Sequence, residues 1–128
     1  MPLEHKLVAV THALLGCLIL VGIWLALPAR HLPVDLTGTA AGVGALASSL
    51  ALGSRRPWAP RFARLLCWGL LAIGAALSTA LAWTAAHLAG LYGPVGSGGA
   101  LLMGTIGVLV APYLVGLPVL QLSWLRRR

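Results

Sequence analysis

Polar and apolar positions in this chain do not alternate at short period; they separate into long runs. Uncharged apolar stretches extend from Leu7 to Leu27, Leu36 to Gly53, Leu65 to Leu88 and Ala100 to Leu125. Each approaches the roughly 20 residues that a helix rising about 1.5 Å per residue needs to cross about 30 Å of hydrocarbon. A membrane barrel needs alternating segments of roughly ten residues, and these runs are longer, unbroken and rich in Leu, Ala and Gly. The pattern predicts an all-α, polytopic transmembrane four-helix bundle in a single domain over residues 1–128. Its spans are expected near 7–27, 36–53, 62–88 and 100–123. Short connections favour antiparallel neighbours and an up-down-up-down order.

The runs differ in strength. The first holds twelve Leu, Ile and Val residues, enough to favour insertion by roughly 4–7 kcal/mol without help. The second has only Val43 and four leucines against Gly38, Gly42, Gly44, Thr37, Thr39, Ser48 and Ser49, so it requires neighbours. Lipid tails give helices no hydrophobic reason to associate, and small residues that let backbones approach supply the packing instead. Such residues recur every four positions: Gly38 and Gly42 in one row, Ala41, Ala45, Ser49 and Gly53 in another, and Gly74, Ser78, Ala82, Ala86 and Gly90 in the third span. These rows are expected to be helix–helix seams.

Prolines and glycines punctuate the last part of the chain. Pro112 and Pro118 flank Gly116; each proline removes a backbone donor and crowds the carbonyl four residues earlier, so a kink is expected. The run from Gly93 to Gly99 is too glycine-rich to favour a helix and is read as an outward loop or re-entrant stretch.

Composition agrees with the runs: 59% of residues are hydrophobic and 9% charged, and the mean hydropathy is +0.95. The net charge of +7 does not point to nucleic acid, because the basic residues flank apolar spans instead of sharing a face with interleaved aromatics. In a four-span topology Lys6, Arg55, Arg56, Arg61, Arg64, Arg126, Arg127 and Arg128 fall on one side, with Arg30 alone on the other. The positive-inside rule then puts both termini and the central loop in the cytoplasm, in a membrane such as the bacterial inner membrane. Trp58, Trp68 and Trp124 toward that side, and Trp24, Trp83 and Tyr92 toward the other, fit two aromatic belts. Arg126, Arg127 and Arg128 are placed to meet anionic headgroups at roughly 1 kcal/mol each. The first run is too long for a secretory signal core and is read as a retained span.

Candidate chemistry is sparse. Cys17 and Cys67 form no C-x-x-C pair and are read as buried, unbonded thiols. His12 is the ionisable side chain within a span, which makes it a candidate polar or proton site, or a residue bonded to a hydroxyl or carbonyl of a neighbour. His31, Asp35 and His87 carry donors suited to a transition metal, without a fixed ligand spacing. Glu4 and Asp35, the two carboxylates, lie on opposite sides in this topology, so no paired-acid mechanism is available. No cofactor is predicted, with haem, quinone and metal left open. The expected role is a non-catalytic structural or accessory subunit of a homo-oligomer or larger membrane complex, with the bilayer and other transmembrane helices as partners. Two alternatives stay open: a small oligomeric transporter or channel lined by Ser48, Ser49, Ser78, Thr79 and Thr105, and a His-dependent redox or metal-handling enzyme.

Overall fold

The structure is a computed structural model that describes residues 3–26, 31–91 and 93–126. Among these residues it is helical, without strands, and has four helices long and apolar enough to cross a membrane: Leu3–Leu25, Leu32–Gly53, Ala59–Leu91 and Gly96–Arg126. In finer detail, α1 (Leu3–Val21) runs into a π-helical turn (Gly22–Ala26), α2 is Leu32–Gly53 and α3 is Ala59–Leu91. The last rod is α4 (Gly93–Ala111), a π-helical turn (Pro112–Gly116) and α5 (Leu117–Arg126). Helices dominate because an apolar surrounding offers no partner for backbone N–H and C=O groups, so each helix satisfies its own.

The chain forms two compact units. The first contains residues 1–67 with 121–128, and the second contains residues 68–120.

In the first unit α1 and α2 meet through glycine. A Cβ on Gly16 would stand 2.8 Å from the Gly42 carbonyl oxygen, and one on Gly42 would stand 2.8 Å from Leu20 Cγ. Only hydrogens at both positions let the backbones come this close. Gly38 is covered in the same way by Ile23. The buried apolar residues of this unit are Val8 and Ala9 of α1, Ile23 of the π-helical turn, Ala45, Ala51 and Leu52 of α2, Ala59, Ala63 and Cys67 of α3, and Leu122 and Leu125 of α5. Three polar side chains, His12, Ser48 and Gln121, are buried among them.

Helix α2 opens after His31, which is extended at φ −124°, with Pro33 in the first turn. It closes by a Schellman arrangement: Arg56 N–H reaches the Ala51 carbonyl and Arg55 N–H the Leu52 carbonyl, each at 3.2 Å. The motif requires a left-handed residue, and Arg55 supplies it at φ 54°. Glycine would take that conformation freely, whereas a residue with a Cβ gives up roughly 1 kcal/mol there.

In the second unit, Gly93 at φ 55° turns the chain between α3 and α4. The helix then begins at once, so residues 93–99 are the first two turns of α4 and not the loop expected from their glycine content. Glycine's helix penalty is an entropic cost set against a solvated coil; it weighs less where leaving the helix would strand backbone groups away from water. At Pro112–Gly116 the ladder widens by one residue, and Leu117 N–H bonds to the Pro112 carbonyl. Pro118 has no N–H to offer the Leu114 carbonyl. Gly74 of α3 lies against that same carbonyl, where any Cβ would collide with it.

Candidate functional site

The most polar interior of the molecule lies in the first unit, where four helices each contribute to one chain of hydrogen bonds. Thr11 Oγ1 sits 2.9 Å from the Leu7 carbonyl and 3.0 Å from that of Val8. Because those carbonyls can only accept, the threonine hydroxyl donates to them and is left to accept from Gln121 Nε2 at 2.8 Å. The Gln121 amide is thereby oriented with Oε1 toward Cys67 Sγ, 3.5 Å away, and the thiol must donate. The sulfur is then free to accept from His12 Nε2 at 3.6 Å. With its proton on Nε2, the ring presents Nδ1 as the acceptor for the Ser48 hydroxyl at 2.9 Å.

The direction is therefore fixed from end to end: Ser48 of α2 to His12 of α1, to Cys67 of α3, to Gln121 of α5, to Thr11 of α1, to backbone. Each of the five side chains along this line is engaged, and both imidazole nitrogens have a partner. His12, Ser48, Cys67 and Gln121 each expose 0% of their surface. A buried polar network completed in this way is worth more than its separate bonds, and the same low dielectric makes any break in it costly.

This arrangement holds helices together and is poorly built for reaction. A nucleophilic thiol needs the imidazole to take its proton, but here the imidazole donates to sulfur while the thiol proton points to an amide. A haem or quinone needs a histidine nitrogen turned toward open space, and both nitrogens of His12 face side chains. Cys17, by contrast, is an exposed free thiol on the outer side of α1.

His31 is exposed at the start of α2, its carbonyl accepting from Asp35 N–H at 2.9 Å. Asp35 Oδ1 is buried without a hydrogen-bond partner among the described residues. His87 is exposed on α3 in the second unit. No group of three His, Cys, Asp or Glu side chains able to hold a metal ion occurs among the described residues. Arg126 is exposed in the last turn of α5, while Arg127 and Arg128, like Arg30 and Tyr92, lie outside the described residues.

The small-residue row of α3 divides. Gly74 is buried under Leu114, Ser78 is half-buried, and Ala82, Ala86 and Gly90 are exposed. Beside Ser78 and Ala82 a groove of about 330 Å³ opens against Gly104, Gly107 and Ala111 of α4. A Cβ at Gly104 or Gly107 would meet nothing within 4 Å. Three threonine hydroxyls of this unit bond back to their own helices: Thr79 donates to Ala75, Thr84 to Ala80 and Thr105 to Leu101, each at 2.8 Å.

Charge within a span marks His12 in the sequence, whereas Gln121, Thr11 and Gly16 carry none to mark them. Gln121 was legible as an amide inside an uncharged run, since an amide is nearly as costly to bury unpartnered as an ionisable group. In comparison with known proteins, no family model, no curated protein and no solved structure matches the chain.

Proposed function

We propose that this chain is an integral protein of a bacterial inner membrane, with both termini and the α2–α3 loop cytoplasmic, acting as a non-catalytic accessory subunit. Its second unit offers α3 and α4 as a packing surface for other transmembrane helices, from copies of itself or from a larger partner. One observation carries this reading. Of the most apolar 18 residues in each long helix, 28% are buried in each of the first two, 11% in the third and none in the fourth. Small residues placed at seam spacing on an uncovered face are what close helix approach from outside requires.

The cytoplasmic orientation draws support from inside the first unit. Gln121 meets Thr11, and Arg64 Nη2 donates to the Leu125 carbonyl at 3.1 Å. The start of α1, the start of α3 and the end of α5, each bordered by basic residues, are thus gathered at one end of that unit, as the positive-inside rule asks of a single face.

A transport path is less well supported, since it would need hydroxyls presented to water. Thr79, Thr84 and Thr105 are instead spent on carbonyls four residues back, the usual way for a hydroxyl to face lipid. The test is extraction in mild detergent followed by native mass analysis. The expected result is a species heavier than one chain, containing further copies or a second transmembrane protein. A lone monomer, extracted under conditions that keep known complexes together, would overturn the proposal.

A further inference from the structure

The α2–α3 loop and the first two turns of α3 concentrate positive charge. Arg55, Arg56, Arg61 and Arg64 lie close in sequence, and Glu4 and Asp35 are the only acidic side chains. No ion pair reaches any of these arginines among the described residues. Arg55 moreover occupies the left-handed position that the Schellman turn would fill most easily with glycine, so a guanidinium stands where the backbone prefers none.

Beside the loop is a cleft of about 510 Å³ lined by Pro57, Trp58, Pro60, Arg61 and Arg64. Of its lining residues, Trp58 is half exposed and braced edge-on by Phe62, with ring centroids 5.8 Å apart at 77°. Arg64 is held from one side by its bond to the Leu125 carbonyl, which also brings the turn carrying Arg126 near. The helix end itself adds no donors. Ala59 N–H is taken by Arg56, those of Arg61 and Phe62 by Trp58, and Pro60 has none. With these donors spent, an anion here is held chiefly by side chains.

We infer that this cleft binds the headgroup of an anionic phospholipid, with Arg61 and Arg64 on the phosphodiester oxygens and Trp58 at the level of the acyl esters. Planar guanidinium forks match phosphate oxygens, and an indole with one apolar and one polar side suits the interface between headgroup and chain. The two proline rings and the indole give the cleft an apolar wall that lipid covers and free phosphate does not. This inference rests on the membrane reading above, and its test separates the two.

The intact protein is placed in nanodiscs of phosphatidylcholine with phosphatidylglycerol, and the lipids it retains are counted by native mass spectrometry. Phosphatidylglycerol should be enriched over phosphatidylcholine, and millimolar inorganic phosphate should not displace it. Arg61→Gln should lower the enrichment about fivefold, the worth of one basic residue at an anionic surface. Arg61→Lys should lower it less, keeping the charge but losing the fork. Equal retention of the two lipids, no change in Arg61→Gln, or displacement by phosphate overturns the cleft and leaves the membrane reading standing. Protein that stays dissolved without detergent and never enters the discs overturns both.

Discussion

The two units of this chain use similar residues to different ends. In the first, Gly16, Gly38 and Gly42 are all met by neighbouring atoms, and the hydroxyl, imidazole, thiol and amide at its centre form one directed chain of donors. In the second, Gly74 is met by Leu114, but Gly90, Gly104 and Gly107 face open space and Ser78 Oγ is sheltered with no hydrogen-bond partner among the described residues. Small residues at four-residue spacing therefore mark where helices are able to come together, and not whether they do so within one chain. A seam that is filled contributes to folding; one that is open is available for assembly.

That contrast is sharpest in overpacking. Gly42→Leu pushes a side chain into Leu20 at the α1–α2 crossing and should cost about 3 kcal/mol, at the upper end of what inserting methylenes into a closed interior does. A Cβ at Gly104 meets nothing within 4 Å, so Gly104→Leu should change the monomer's stability by less than about 0.5 kcal/mol while lowering the yield of the heavier species. Reversible unfolding in mixed micelles gives the stabilities and native mass analysis the yields. Equal costs at the two glycines would erase the distinction between the units.

Next in size is the polar centre. His12→Ala removes the donor to Cys67 and the acceptor of Ser48, leaving both buried groups short of a partner, and should cost about 2 kcal/mol. It should also make Cys67 reactive toward a small alkylating reagent that leaves it untouched in the native protein. Full stability with an unreactive thiol would show that the chain of bonds is not what holds α1, α2, α3 and α5 together. Gln121→Leu should cost about 1 kcal/mol, since intramembrane side-chain bonds are individually modest.

The smallest effect is expected at Thr105→Val and Thr79→Val. Each loses a bond to its own helix that faces outward, so stability should shift by less than about 0.5 kcal/mol and the yield of the proposed heavier species should not change. A marked loss of complex or of a transport signal in either variant would favour the pore over the packing surface.

Much of the fold was legible because a bilayer imposes a simple rule: runs of about twenty apolar residues become helices. The exception at Gly93–Gly99 is instructive, since glycine's helix penalty comes from water-soluble peptides and counts for less in a segment bordering an apolar span. The prolines marked where the last rod would deviate, but the form of the answer did not follow from sequence. A widened turn with Leu117 bonded to Pro112, and Gly74 lying on the Leu114 carbonyl, depends on which helix lies opposite. His12 stood out by its charge, whereas its relay through Cys67 and Gln121 joins residues 55 and 54 positions apart, a pairing that no local pattern encodes.

The claim that the second unit is an assembly surface and the first is closed on itself is tested most directly by cysteine cross-linking in native membranes. Cys17 is an exposed native thiol in the first unit, Cys67 is buried, and Gly104→Cys adds one thiol on the open face of α4. With a membrane-permeant oxidant, Gly104→Cys should give a cross-linked species in high yield while the parent chain with Cys17 alone gives none. Cross-linking through Cys17 in the parent chain, with no added product from Gly104→Cys, would contradict the account.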